Sequence, residues 1–121
     1  MTIYGTDAVS PTPGTGDLCT VQGTCRTNEG DPVAGVKVRC EVSGDNVVYT
    51  DSDGNKAQVS EQTVTTESNA QGVWSVTVLR SAKIGNAAYS FTVRGGRGGK
   101  FNMKKKGVTV PDAATVYFED L

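Results

Sequence analysis

At 121 residues the chain is long enough for one domain that buries a core without a disulfide or a metal. Its 15 glycines and 36% hydrophobic residues, with many Val and Thr, favour short strands and turns over helices, so we predict an all-β fold. Three cysteines and no histidine argue against a paired disulfide framework and against an ordinary zinc site.

The net charge of −1 conceals an uneven distribution of charge. Six basic and no acidic residues lie between Arg94 and Lys106, which leaves six basic and thirteen acidic residues in the rest of the chain. We therefore predict one cationic loop on a mildly acidic body. The chain has no apolar run of about 18 residues and no apolar segment behind a basic start, so we expect neither a membrane helix nor a secretory signal.

The first 17 residues predict an extended N-terminal arm that precedes a domain over residues 18–121. Two prolines and three glycines interrupt this segment, which has little apolar periodicity. Ile3 and Tyr4 are its sizeable apolar side chains. They are either incidental or a means of docking the arm onto a neighbouring subunit.

Alternation of apolar and polar residues predicts strands over residues 18–26 and 35–43, and a short strand is expected within 45–50. All three cysteines are core residues on this pattern. Residues 51–56 predict a solvated loop. They are not an EF-hand calcium site, because Lys56 stands where that loop needs glycine and Gln62 where it needs glutamate.

The stretch over residues 63–79 predicts a paired β-hairpin around Trp74, the only tryptophan, which we expect to anchor the core. After it, residues 80–86 predict a helical turn in which Ile84 closes the end of the core. Strands follow at residues 89–93 and 114–118, separated by a glycine-rich basic loop over 95–107. Together these elements predict a single antiparallel β-sandwich of about seven strands.

Catalysis is not expected from this sequence. A nucleophile with a histidine base is excluded, the acidic residues fall mostly at predicted turns, and Cys25 and Cys40 lie mid-strand on the inward face. We therefore predict a protein that is not an enzyme and that needs no cofactor or metal.

The basic loop is the stretch with the clearest functional composition. It suits three roles: a solvated hairpin tip, a contact to an acidic protein surface such as an assembled shell, or a contact to single-stranded nucleic acid. Its candidate partner-binding residues are Arg94, Arg97, Lys100, Phe101, Lys104, Lys105 and Lys106.

Two elements carry a resemblance to a known family. Gly30, Pro32, Gly35 and Val38 match a turn and strand, and the segment from Thr66 to Trp74 matches a second motif of the transthyretin-like or carboxypeptidase-regulatory type of Ig-like β-sandwich. The resemblance covers residues 18–94 and implies a fold rather than a function. The lysine–asparagine crosslink of adhesin relatives is not expected, because Lys37 should point outward and the last strand lacks asparagine.

The closing residues 108–121 resemble the endings of bacteriophage virion proteins. This resemblance implies a capsid decoration or cement protein, located in the virion, that binds capsid or other virion proteins through Ile3, Tyr4 and the basic loop. The alternatives are a receptor- or glycan-binding module of a phage head or tail fibre, using Trp74, Tyr89 or residues at the loop tips, and a cell-surface adhesin-type Ig-like module. Whether copies form a homo-oligomer is left open by the sequence.

Overall fold

The computed structural model describes residues 11–44, 46–59, 63–96 and 101–121, and these residues confirm an all-β fold. They form nine strands rather than about seven, together with three 3-10 turns at Thr15–Asp17, Ser81–Lys83 and Phe118–Asp120. The strands are β1 Leu18–Thr24, β2 Val36–Val42, β3 Val48–Thr50, β4 Lys56–Gln58, β5 Thr63–Glu67, β6 Val73–Leu79, β7 Tyr89–Gly95, β8 Phe101–Val108 and β9 Thr115–Tyr117.

Two sheets and a small hairpin make up the sandwich. The smaller sheet has the order β6-β1-β9, the larger sheet has the order β5-β2-β7-β8, and β3 pairs with β4. Strand β9 runs parallel to β1, whereas the other paired strands are antiparallel. In β2 and β7 alternate residues are buried, as the sequence pattern predicts for strands with one face on a core.

The predicted hairpin around the tryptophan is wrong, because β5 belongs to the larger sheet and β6 to the smaller one. Ser68 ties the end of β5 to the larger sheet. Its buried hydroxyl accepts a hydrogen bond from Val36 N (2.8 Å) and donates one to the Val33 carbonyl (2.8 Å). The next residue, Asn69, accepts a hydrogen bond from Val73 N through its side chain (3.0 Å). The chain therefore crosses between the sheets at this turn instead of folding back on β5.

Trp74 anchors the core as expected. It is 3% exposed, and its ring centroid lies 6.4 Å from that of Phe91 on the larger sheet and 5.3 Å from that of Phe118. The rings of Phe91 and Phe118 are 5.2 Å apart, so the three aromatic side chains form one cluster between the sheets. Such tilted and edge-to-face pairs are the favoured arrangements of aromatic rings.

The predicted core positions of the cysteines and of Ile84 are confirmed. Cys19, Cys25 and Cys40 are buried and carry free thiols. Ile84 is 3% exposed and follows the 3-10 turn Ser81–Lys83, where it closes the end of the core.

The packing of the aromatic cluster requires that residue 23 have no side chain. A Cβ atom on this residue would lie 2.4 Å from two carbons of the Trp74 ring. We expect Gly23→Ala to lower the free energy of unfolding by about 1–3 kcal/mol, because the ring or the strand must move to admit the methyl group. Urea denaturation followed by the fluorescence of Trp74 measures the change.

Gly16→Ala is the matched control for this substitution, because a Cβ at Gly16 meets no atom within 4 Å. Equal stability of the two variants would contradict the packing of Trp74 on Gly23.

Candidate interaction surface

The predicted basic loop is largely a strand, and this corrects the sequence interpretation. Residues Phe101–Val108 form β8, which pairs with β7. In this pairing Lys105 lies opposite Phe91, and Lys104 lies opposite Thr92. Directly opposed residues share a face of a sheet, so Lys104 points outward with Thr92 and Lys105 inward with Phe91. Two loop candidates, Arg97 and Lys100, lie outside the described residues, as do the arm candidates Ile3 and Tyr4.

Lys105 is engaged within the domain. Its ammonium lies 4.9 Å from the centroid of the Phe118 ring and 3.5 Å from the Phe118 carbonyl oxygen, and it also donates a hydrogen bond to the Leu121 backbone oxygen. The side chain therefore holds the C-terminal turn against the aromatic cluster through a cation–π contact and hydrogen bonds. Lys106, in contrast, is exposed near a β-bulge.

Phe101 stands at the start of β8, opposite Gly95, and is half-buried. Arg26 and Glu29 lie beside it and line the same small hollow. Phe101 also packs partly against the core, which reduces the surface that its ring could offer to a nucleic-acid base.

The outer face of the larger sheet gathers charged residues from four strands. Two cross-strand rows run from β5 to β8. The charged face, as we call this surface, borders an open groove of about 750 Å³. Its charged members are Lys37, Arg39, Glu41, Glu67, Arg94 and Lys104.

Two cations of the charged face, Arg94 and Lys104, form no ion pair in the described part of the chain. Lys37 Nζ lies 3.6 Å from Glu67 Oε2, and Arg39 lies 3.4 Å from Glu41 Oε2. These pairs are exposed, so water screens them and each contributes little to stability. In the described part of the chain no ion pair involves Arg94 or Lys104, so the excess positive charge of this face centres on them.

The outer face of the smaller sheet has a different chemistry. The outward positions of its strands are uncharged, and Tyr117 is 58% exposed there. The hydroxyls of Thr20 and Thr77 lie 3.0 Å apart across two strands. The neutral face therefore contrasts with the charged face on the opposite side of the sandwich. Its outward polar and aromatic residues are Thr20, Gln22, Thr24, Ser75, Thr77, Thr115 and Tyr117, and the half-buried Leu18, Val73 and Leu79 lie on the same face at the strand ends.

The aromatic residues considered for carbohydrate binding are in the core, which corrects that expectation. Trp74 is 3% exposed and Tyr89 is 5% exposed. The Tyr89 hydroxyl donates a hydrogen bond to the Leu79 carbonyl (2.6 Å), and burial raises its pKa. Neither ring can serve as a platform for a sugar without opening the sandwich.

The loop between β3 and β4 uses Asp51, one of its two acidic residues, as a turn former. Asp51 Oδ1 accepts hydrogen bonds from the backbone N–H groups of Asp53 (3.0 Å) and Asn55 (2.8 Å), and Oδ2 accepts one from the Asn55 amide (3.2 Å). This is the Asx arrangement that favours aspartate in turns. Across residues 11–44, 46–59, 63–96 and 101–121, no three histidine, cysteine or acidic side chains are grouped as a metal site would require.

The charged face contains residues that the sequence interpretation did not assign to it. Period-two alternation places Lys37 and Arg39 outward on β2, but it does not say that β7 and then β8 lie beside that strand. The signal that could have joined them was the lysine-bearing stretch itself, which has the length and alternation of a strand. Glycines and positive charge suggested a loop instead.

Comparison of the chain with protein-family models, with curated proteins and with solved structures found no match. No helix in the described segments is long and apolar enough to cross a membrane.

The base of the N-terminal arm is fastened to the domain. Asp17 Oδ2 accepts a hydrogen bond from the Tyr49 hydroxyl (2.5 Å), and Oδ1 lies 3.6 Å from Lys83 Nζ. Arg80 N donates a hydrogen bond to the Asp17 carbonyl (2.9 Å). Residues Thr15–Asp17, which the sequence interpretation gave to the arm, thus pack on the domain.

The hydrogen bond from Tyr49 lowers the pKa of Asp17 from its usual 3.8, and the backbone N–H of Gly14 and the charge of Lys83 add to this effect. A carboxyl group whose pKa is lower in the folded than in the unfolded protein stabilises the fold at pH values above its unfolded-state pKa. This stabilisation is lost as the pH falls through the folded-state pKa. We therefore expect Asp17→Asn to unfold at lower urea concentration at neutral pH. The difference from the wild type should shrink on acidification below about pH 4.

Asp53→Asn, which changes an exposed turn residue, is the matched control. A constant difference between wild type and Asp17→Asn from neutral pH to about pH 2 would contradict an ionised Asp17 in the folded state.

The three thiols have raised pKa values. Burial raises the pKa of Cys40 to about 12, and burial is also the main cause of the increases at Cys19 and Cys25. Because the thiolate is the reactive form, we expect Ellman's reagent to react slowly with the native protein and rapidly with all three cysteines in denaturant.

A Ser75→Cys variant supplies the positive control for this experiment, because residue 75 is exposed on β6. It should add one thiol that reacts rapidly in the native state. Rapid reaction of the wild-type protein under native conditions would contradict the burial of its cysteines.

Proposed function

We propose that this protein is a non-enzymatic structural component of a bacteriophage virion, a capsid decoration or cement protein that binds the assembled shell. The bacteriophage assignment depends on the resemblance of residues 108–121 to the endings of virion proteins. The observation that carries the binding proposal is the pair of cations on the charged face, Arg94 and Lys104, that join no ion pair among the described residues. The Ig-like character implied by residues 18–94 is part of the same proposal.

The charged face suits a folded protein partner better than a nucleic acid. Glu67 and Glu41 stand among its cations, and a phosphate backbone laid across the sheet would meet these carboxylates. A protein surface that is mainly acidic and carries some basic groups can match both signs of charge. Such complementarity chiefly sets the rate and specificity of association, so stable attachment needs a further contact.

The N-terminal arm is proposed to supply that further contact. Its apolar residues Ile3 and Tyr4 would be buried against capsid subunits, where removal of apolar area from water favours binding. The packed base of the arm at Asp17 limits the part of the arm that can reach a partner to the residues before it.

The carbohydrate alternative has lost its two aromatic candidates, because Trp74 and Tyr89 are in the core. We therefore do not carry it forward as a second function. Nucleic-acid binding remains an outcome that the following experiment must be able to detect.

Co-sedimentation with purified shells of the virus that encodes the protein tests the proposal. We expect Arg94→Gln and Lys104→Gln each to weaken binding roughly three- to tenfold at low salt, since each removes one cation facing an acidic partner. Lys56→Gln, which removes an exposed lysine from β4 on the separate hairpin, should bind as the wild type does.

Deletion of residues 1–10 is expected to abolish sedimentation with the shells while Asp17 and its contacts are retained. Undiminished binding by this deletion variant would remove the arm from the mechanism. Failure of the wild-type protein to sediment with shells, together with a salt-sensitive shift of single-stranded DNA, would replace the proposal with nucleic-acid binding.

A further inference from the structure

Strand β8 presents an unpaired edge of the larger sheet. It is eight residues long and, in the described part of the chain, it pairs only with β7. No described backbone hydrogen bond from another segment reaches this strand. An edge of this length is a template on which an extended peptide can add as a further strand through main-chain hydrogen bonds.

A cleft beside this edge can take an apolar side chain. It has a volume of about 550 Å³ and lies between β8 and the segment around β9, which is only three residues long. Val108, Pro111, Val116 and Leu121 supply its apolar lining. Met103 pairs with Val93, which points into the core, yet Met103 itself is 42% exposed.

Exposed lysines determine which strand this edge can accept. Lys104 and Lys106 are exposed, and neither forms an ion pair in the described segments. Antiparallel pairing of two β8 edges centred on Lys104 would place the Lys104 side chains of the two copies opposite each other. Pairing centred on Lys105 would place Lys104 of one copy opposite Lys106 of the other. Like charges directly opposite each other destabilise a sheet, and edge lysines discourage such pairing between copies. The same charges favour an acidic strand.

We infer that the β8 edge binds an extended peptide segment of a partner protein in which acidic and apolar residues alternate. On an added strand, successive side chains point to opposite faces of the sheet. The acidic residues would then lie on the outer face beside Lys104, with Lys106 exposed near the β-bulge of the same strand. The apolar residues would lie on the inner face, next to Met103 and the cleft. This inference does not depend on the shell proposal.

The test uses full-length protein and a labelled peptide of alternating valine and aspartate, eight residues long to match β8. Fluorescence anisotropy measures its affinity. We expect binding to weaken about tenfold or more when lysine replaces each aspartate, because lysine would face lysine across the new pairing. A central proline should weaken binding similarly, because proline cannot donate a hydrogen bond to the sheet.

Protein variants locate the binding on the strand edge. Lys106→Gln should weaken binding of the valine–aspartate peptide several-fold, whereas Lys56→Gln, on the separate β3–β4 hairpin, should leave its affinity unchanged. Amide hydrogen exchange should slow at alternate residues of β8 when the peptide is added, which electrostatic attraction without strand addition would not produce.

Three results would overturn the inference. The first is equal affinity for the proline-containing peptide, with exchange in β8 unchanged, which would indicate charge attraction alone. The second is slow exchange of the β8 amides in the absence of peptide. If deletion of residues 1–10 removes this protection, the chain's own arm occupies the edge. If the protection depends on protein concentration, a second copy occupies it. The third is failure of the valine–aspartate peptide to bind. Because none of these measurements uses shells, they leave the proposed function to its own test.

Discussion

The close contact between the Trp74 ring and the backbone of Gly23 is the constraint on which the rest of the structure depends. Since Gly23 has no Cβ, the ring can lie against β1 and bring the smaller sheet onto Phe91 of the larger one. Phe118 completes this aromatic cluster and attracts the ammonium of Lys105. The absence of a side chain at Gly23 therefore affects three features through the aromatic cluster: the packing of the two sheets, the position of the C-terminal turn and the inward face of β8.

Because β8 pairs with β7, neighbouring lysines of the basic stretch point in different directions and make different contacts. Lys105 turns inward and stabilises the C-terminal turn, whereas Lys104 turns outward and joins Arg94 on the charged face. Lys106 lies exposed along the edge of the sheet. Lys105 therefore reaches the aromatic cluster, Lys104 lies both on the charged face and beside the strand edge, and Lys106 lies beside that edge. Replacing Lys105 or Lys106 singly separates stability from edge binding, which neutralising the three lysines together cannot do.

The asymmetry of the sandwich indicates how contacts could be divided among its surfaces. The larger sheet carries charge on its outer face, and the smaller sheet presents hydroxyl and amide groups with one exposed aromatic ring, Tyr117. A charged face favours rapid, salt-sensitive encounter with an oppositely charged surface, and apolar contacts give longer-lived attachment. Tyr49 and Lys83 hold Asp17, at the base of the arm, on the domain, so an arm contact and a face contact belong to one tethered unit and can act together.

The sequence by itself determined the all-β class, the strands β1, β2 and β7, the buried cysteines and the position of Ile84, because alternation and turn residues act over a few neighbouring positions. Tertiary structure alone decided which strands pair. The hydrogen bonds of Ser68 link residues more than thirty positions apart and send the chain from one sheet to the other. The charged face likewise required the order β5-β2-β7-β8, since alternation tells which side a lysine takes on its strand but not which strand lies next to it.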